Sequence, residues 1–252
     1  MSRTLHGVWL GQRAYRPVLN LQQRLLEQRQ QHALPDVVLV VEHPNVITLG
    51  RGAKEAHILA PRATLTARGV DVVEVRRGGD VTLHAPGQLV VYPIVDLAPD
   101  RRDVRRYVGD LTETMRLLAR DWGIHGGPID GHVGFWVDAD RPSQWTGTSG
   151  ASRPAKLGAI GVRISRWVTM HGFAFNLTTD VDLFDWIVPC GIHQFSVTTV
   201  RALTGESPSV QDAAPRVVET LAEVLGAEVG TFVVAGQDLD DIPTRLRAFD
   251  QR

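Results

Sequence analysis

The run Val37-Val-Leu-Val-Val41 constrains this chain more than any other stretch. Aliphatic residues in unbroken succession, all but one β-branched, suit a strand buried on both faces. Before it, residues 14–30 place Tyr15, Val18, Leu21 and Leu25 at helical spacing. After it, His43-Pro44-Asn45 turns the chain, Val46-Ile-Thr-Leu49 resumes an extended run, and Gly50-Arg51-Gly52 breaks it. Residues 70–75 and 89–95 read as further strands. Asp100 is placed to cap a helix whose Val104, Tyr107, Val108, Leu111, Met115 and Leu118 form one apolar stripe. Ser209 with Asp212 resembles a capping box for a second stripe, from Val210 to Leu225, closed by Gly226. Strands and helices mix without strict βαβ alternation. The expected fold is therefore α+β, a single α/β domain on a mixed sheet, rather than a doubly wound one.

At 252 residues the chain can bury a substantial core, and residues 1–252 are read as one domain. Residues 139–155, ADRPSQWTGTSGASRPA, form the one compositional break and read as a long, mobile polar loop. The tail from about residue 236 reads as a terminal excursion packed on the domain. A net charge of −1 argues against a dedicated nucleic-acid or membrane-surface protein. The start, MSRTLHGVWLGQR, does not read as a signal peptide, and no stretch approaches the length of a membrane span. The single cysteine, Cys190, excludes internal disulfides, so a reducing cytoplasmic setting is expected. No His-x-x-x-His spacing supports a metal site, and none is expected.

Three segments could carry chemistry. In Arg77-Gly-Gly-Asp-Val-Thr-Leu-His84, followed by Ala85-Pro-Gly-Gln88, paired glycines let backbone approach a ligand and free N–H groups for a carbonyl or phosphate. A tight turn between strands accounts for the glycines equally well, and the pattern is neither a P-loop nor a dinucleotide fingerprint. Lys156-Leu-Gly-Ala-Ile-Gly161 and Met170-His-Gly-Phe-Ala-Phe-Asn176 read as strands interrupted by glycine. By the two-residue period His171, Phe173, Phe175 and Leu177 share one face. A lone His there is more often a satisfied core residue than a ligand, and Lys156 alone reads as a solvated lysine. In Asp185-Trp-Ile-Val-Pro-Cys190-Gly-Ile192 the cysteine sits between proline and glycine. Such a turn can expose the sulfur beside free N–H groups, although a lone cytoplasmic cysteine is usually a buried small hydrophobe.

Taken in order, these segments resemble the lipoyl(octanoyl) transferases. That family carries an R-G-G-x-x-T-x-H-G-P-G-Q loop, a K-[IL]-x-[AS]-[IL]-G strand, an H-G-[FL]-A-x-N strand and a [IV]-P-C-G turn. This chain shows RGGDVTLHAPGQ, KLGAIG, HGFAFN and VPCG, with EHPNVITLGR and the GFWV of residues 134–137 as further likenesses. The resemblance runs from about Tyr15 to Leu225. It implies the fold of biotin and lipoate ligases, and an enzyme that transfers an octanoyl or lipoyl group from acyl carrier protein to a lysine of another protein. The acceptors would be lipoyl domains of 2-oxoacid dehydrogenase complexes or the glycine cleavage H protein. Cys190 matches the acyl-thioester nucleophile, and Lys156 the lysine that lowers its pKa and shuttles protons. Arg77, Gly78, Gly79, Asp80, Val81, Thr82, Leu83 and His84 match acyl-substrate-binding positions. So do Ala159, Ile160 and Gly161, and His171, Gly172 and Phe173. Two departures stand out: Ala85 replaces the usual glycine, which would be strained at positive φ, and the 139–155 loop is long.

The implied chemistry makes physical sense. A thioester-to-amide transfer is downhill, so no cofactor or ATP is expected, the donor being carried on phosphopantetheine. A covalent intermediate lets the two large proteins visit in turn. A thiol of pKa about 8.5 needs a neighbouring cation to become mostly thiolate at neutral pH. The oxyanion would sit near Gly78-Gly79 or Cys190-Gly191, and the Phe173–Phe175 face could wall the acyl groove. Carrier docking is expected at Arg76 and Arg77 or at the Arg101, Arg102, Arg105 and Arg106 cluster, with the enzyme a monomer. An ATP-dependent lipoate or biotin ligase, or a non-catalytic acyl-binding module, are the alternatives that the same fold allows.

Overall fold

The computed structural model describes residues 3–188 and 195–249. In chain order its elements are β1 (Arg3–Gln12), α1 (Tyr15–Gln30), β2 (Asp36–Glu42), β3 (Val46–Leu49), α2 (Arg62–Ala67), β4 (Asp71–Glu74), β5 (Val81–His84) and β6 (Gln88–Ile94). There follow α3 (Val104–Arg120), β7 (Gly127–Ile129), β8 (His132–Asp138), β9 (Pro154–Ser165) and β10 (Val168–Asn176). After short 3-10 turns come β11 (Ser196–Val197), α4 (Val200–Thr204), α5 (Val210–Leu225), β12 (Ala227–Val234) and α6 (Ile242–Arg247).

Among the described residues the main sheet is ordered β12-β1-β2-β6-β10-β9-β8-β7, with β11 added beside β9. The first two pairings are parallel, and those from β2 to β8 are antiparallel. A second sheet, β4-β3-β5, carries the Gly-rich segment. The fold is thus a mixed-sheet α/β domain, as the sequence leads one to expect. β2 is buried along its length because both faces are covered. Val38 and Val40 pack toward α3 and α5, while Val37, Leu39 and Val41 pack toward α1.

Several elements differ from the sequence reading. Helix α3 is capped by Asp103, whose carboxylate accepts the N–H groups of Arg105 and Arg106, and not by Asp100. The Gly-rich segment is only half loop, since residues 81–84 are β5, paired with β3. β1 and β12 have no clear counterpart in the sequence pattern. His6, Gly7 and Gly11 break the alternation in β1, and β12 is a half-exposed edge strand with Val229 and Val234 in solvent.

Helix α5 matches expectation, with Ser209 capping Asp212 and Gly226 closing it at φ 64°. The 139–155 segment is stitched at its base. The buried Asp138 carboxylate accepts from the N–H groups of Asp140, Ser152 and Arg153 and from the Arg141 guanidinium. Within the segment Trp145 is buried and donates to the Ser149 carbonyl. The tail after residue 236 packs Ile242 and Leu246 of α6 into the α1-side core.

Candidate active site

The Gly-rich loop is held from two sides. Gly50, Arg51 and Gly52 donate N–H bonds to the carbonyls of Asp80, Arg77 and Gly79 at 3.2, 3.0 and 3.0 Å. This close stitching explains the glycines: a Cβ on Gly50 would lie 2.4 Å from the Gly79 carbonyl oxygen, and Gly79 itself has φ +85°. On the other side Gly78 donates to the Val162 carbonyl at 2.8 Å, tying the loop to β9. That bond commits the Gly78 N–H to the fold, so of the two loop glycines only Gly79 stays a candidate oxyanion donor. Arg77 is buried beneath the loop, its guanidinium donating to the Thr48 carbonyl at 2.8 Å and to the Thr48 hydroxyl at 2.9 Å. Asp80 accepts from Val81 N–H at 2.8 Å and meets His57 Nδ1 at 2.5 Å.

Between this loop, β9 and β10 lies a narrow cleft enclosing about 470 Å³ of free space including its mouth. Arg77, Gly79, Asp80, Val81, Thr82 and His84 line it from the loop and β5, Ala159, Ile160 and Gly161 from β9, and His171, Gly172 and Phe173 from β10. Gly78 and Leu83 do not, and Leu83 instead packs with Ile47, Leu65 and Phe184. Three lining residues escaped the sequence reading: Tyr15, Tyr92 and Ala174. Tyr92 left a usable signal, because a tyrosine inside an otherwise aliphatic buried strand needs a partner for its hydroxyl. Tyr15 was hidden in the apolar stripe of α1. Phe175 does not wall the cleft; it stacks on Phe135 with ring centroids 6.1 Å apart, within the α3-side core. His171 does not share a face with Phe173 and Phe175 either. Its φ of +56° turns the side chain aside, and its ring meets Tyr92 at 6.3 Å. Ala85 is buried and lies outside the positive-φ set, so it carries no strain from its side chain.

The inner wall is an aromatic network whose protons can be placed. His43 Nδ1 faces the Arg13 carbonyl at 2.7 Å, so it carries the proton, and Nε2 accepts from the Tyr92 hydroxyl at 3.0 Å. Asn176 donates to the Thr198 carbonyl, so its amide oxygen faces Gln88 and accepts from it at 2.9 Å. The Gln88 oxygen then faces His84 Nδ1 at 2.7 Å, which makes Nδ1 the donor and leaves Nε2 a bare acceptor. Thr198 in turn donates its N–H to the Lys156 carbonyl at 3.0 Å, linking this chain to β9.

Burial keeps all three histidines neutral. It pushes His43 down to about 4 against the help of the Arg13 carbonyl, and His84 down to about 3, with the like charge of His43 next. His171 also falls to about 3, first through burial and then through Arg77 and Arg163. Burial raises Tyr15 to about 12, with Arg77 working the other way. Because these histidine pKa values are depressed on folding, their contribution to stability is present above the unfolded value of about 6.5 and is lost as pH falls toward the folded values. The thermal midpoint should therefore drop steadily from about pH 6.5 to 4.5, before most carboxylates titrate. A flat midpoint over that interval would contradict the placement of these rings.

Lys156 is buried, and its ammonium lies 4.6 Å from the Trp136 ring centroid, outside the cleft lining but on the same strand as Ala159. Cys190 lies outside the described residues. The stretch that holds it is bracketed by two described anchors. Val188 donates its N–H to the carbonyl of His57, the partner of Asp80, at 2.7 Å, and Phe195 packs its ring 5.1 Å from Trp136. Of the arginines expected to dock a carrier, Arg77 and Arg101 are buried, and Arg101 is bound to Asp110 and the Val224 carbonyl. Arg76, Arg102, Arg105 and Arg106 remain exposed. Among the described residues no cluster of three metal-ligating side chains occurs, and no helix is long and apolar enough to cross a membrane.

Residues 14–222 match the lipoyl protein ligase A/B catalytic domain family. An octanoyltransferase of Chloroflexus aurantiacus is 42% identical over 227 residues, 90% of this chain and 96% of that protein. One of Myxococcus xanthus is also 42% identical, over 87% of this chain, which spans only 59% of that longer relative. Lipoate-protein ligase A bound with ATP superposes with a TM-score of 0.68 at 13% identity, covering 98% of this chain and 95% of that one. A lipoate protein ligase of Thermoplasma acidophilum with bound lipoic acid gives 0.66 at 12% identity, covering 100% and 96%. At such identities these structures speak for the fold. The chain belongs to the lipoyl protein ligase A/B catalytic domain family, and within it to the octanoyltransferases, which makes it an acyltransferase.

Proposed function

We propose that this acyltransferase moves an octanoyl group from the phosphopantetheine thioester of acyl carrier protein to a specific lysine of a lipoyl domain, through a thioester on Cys190. The single observation that carries the reading is the bracketing of residues 189–194. Their flanks reach His57, the partner of the cleft residue Asp80, on one side and the Trp136 ring beneath Lys156 on the other. The neutral aromatic inner wall of the cleft suits an alkyl chain, each buried methylene contributing about 0.8 kcal/mol.

In the first half-reaction the Cys190 thiolate attacks the donor carbonyl. The new C–S bond forms as the old one breaks, and the departing pantetheine thiolate takes a proton from the Lys156 ammonium. In the second, the acceptor amine attacks the acyl-enzyme, neutral Lys156 takes the amine's proton, and the Cys190 thiolate leaves. His84 Nε2, bare of a proton, offers the cleft an acceptor that can orient a donor group. The donor already carries the activation, so the reaction uses neither ATP nor metal, and the enzyme acts as a monomer in a reducing compartment.

Incubated with octanoyl carrier protein and no acceptor, the protein should gain the mass of one octanoyl group. Hydroxylamine should strip it, and a lipoyl-domain protein should receive it as a stable amide. Transfer at full rate with no adduct on Cys190 in rapid-quench peptide mapping, or transfer that requires ATP, would overturn the reading.

A further inference from the structure

Outside the cleft, and also bordered by His171, lies a second groove enclosing about 810 Å³ of free space including open solvent, lined in part by Leu19, Val75, Arg76, Arg163 and Met170. His171 is the one residue common to the linings of cleft and groove. We propose that the His171 imidazole is the floor of the acyl cleft and sets the upper limit on acyl chain length. The inference rests on the function proposed above and deepens it.

Two unfavourable features meet at this residue. A non-glycine backbone at φ +56° is strained, and the His171 Nδ1 is buried with no hydrogen-bond partner. Such features persist where surrounding structure over-determines them, and they concentrate at functional sites. The surroundings here are specific. Gln22 of α1, itself buried, accepts the His171 N–H at 2.9 Å and pins the left-handed turn. Tyr92 stands edge-on to the ring. The ring also feels Arg77 from the cleft side and Arg163 from the groove side, which agrees with its position as a partition. An imidazole that satisfies no hydrogen bond at Nδ1 and stays uncharged acts here by filling space.

The position of the partition gives it a consequence for specificity. On the cleft side an alkyl chain meets Tyr92, Ala174 and the backbone of β9 and β10. Beyond the ring it would meet Arg163, whose guanidinium donates to Gln23 and contacts the Met170 sulfur, with Arg76 beside it. Glu27 and Glu74 stand in the same groove, so the space past His171 is polar and poorly suited to a methyl terminus. A chain long enough to reach the floor must therefore either stop or displace it.

The test is His171→Gly, which keeps the left-handed backbone without strain while removing the ring, with His171→Trp as the filled counterpart. Acylation of Cys190 by octanoyl, decanoyl and dodecanoyl carrier protein is compared by intact mass, alongside equilibrium binding of the free fatty acids. The expected result for His171→Gly is a dodecanoyl-to-octanoyl ratio raised at least about tenfold, given roughly fourfold per methylene accommodated in the space the ring vacates. His171→Trp should move the ratio toward shorter chains. Unchanged ratios in variants that keep the wild-type thermal midpoint would overturn the proposal. If His171→Gly fails to fold, the His171→Trp ratio and fatty-acid binding still decide it. A binding shift without any acylation of wild-type protein would leave the floor standing and instead refute the transfer reading.

Discussion

Cys190→Ala should leave the thermal midpoint unchanged and lower acyl transfer by at least about 10⁴-fold, the scale on which loss of a covalent nucleophile acts. The size of the effect follows from the sequence, since the chain holds no second cysteine that could take over. It follows also from the proposed chemistry, in which donor and acceptor are both proteins and meet at one narrow cleft. Without a covalent stage both partners would have to reach the same narrow mouth together. The variant should still bind octanoate, because the lining of the cleft is supplied by β5, β9 and β10. Loss of binding together with transfer would mean that Cys190 shapes the cleft rather than attacks the donor. Cys190→Ser sharpens the distinction. A hydroxyl of nearly the same size restores the shape but is a far weaker nucleophile at neutral pH, so transfer should stay low while binding remains intact.

Much of this architecture was legible residue by residue, and the exceptions have physical causes. The buried run at β2 needed no context, because a strand covered on both faces has a composition no surface element shares. The strands β1 and β12 were hidden because each relies on the other. The first is interrupted by glycine and histidine, and the second shows solvent on one side, so neither has a periodicity of its own. The cap of α3 moved three residues because Asp103, and not Asp100, reaches two free N–H groups.

In the site, the loop motif located the cleft, but face assignment failed at His171. The two-residue period assumes extended backbone, and one left-handed residue breaks it. Tyr15 and His43 were unreadable for another reason. Their role depends on meeting His84, with ring centroids 5.8 and 5.7 Å away, across elements far apart in sequence.

Lys156→Ala should lower transfer by about 10²- to 10⁴-fold, the range expected for removal of a positioned proton carrier. The structure gives the side chain a definite place. It is buried on β9, its ammonium rests on the face of Trp136, and its carbonyl receives Thr198 at the end of the hydrogen-bond chain that starts at His84. The proposed transfer gives it two roles, a positive charge for the thiol and a proton that moves, and they can be separated. In Lys156→Ala both are gone, so the pH profile of Cys190 alkylation should shift upward toward the ordinary thiol value of about 8.5. In Lys156→Arg the charge stays but the proton is fixed, since a guanidinium does not titrate below about pH 12. That variant should keep the low alkylation profile and still accept octanoyl from the carrier, whose thiolate can leave unprotonated and take its proton from water, then stall, because nothing takes the proton from the incoming amine. The acyl-enzyme should accumulate and be visible by intact mass, with the second half-reaction slowed more than the first. Wild-type rates for both halves in Lys156→Arg would reduce Lys156 to a charge alone. An alkylation profile in Lys156→Ala that matches wild type would remove it from both roles, and Trp136 would then hold an ammonium that serves only the packing of β8 against β9.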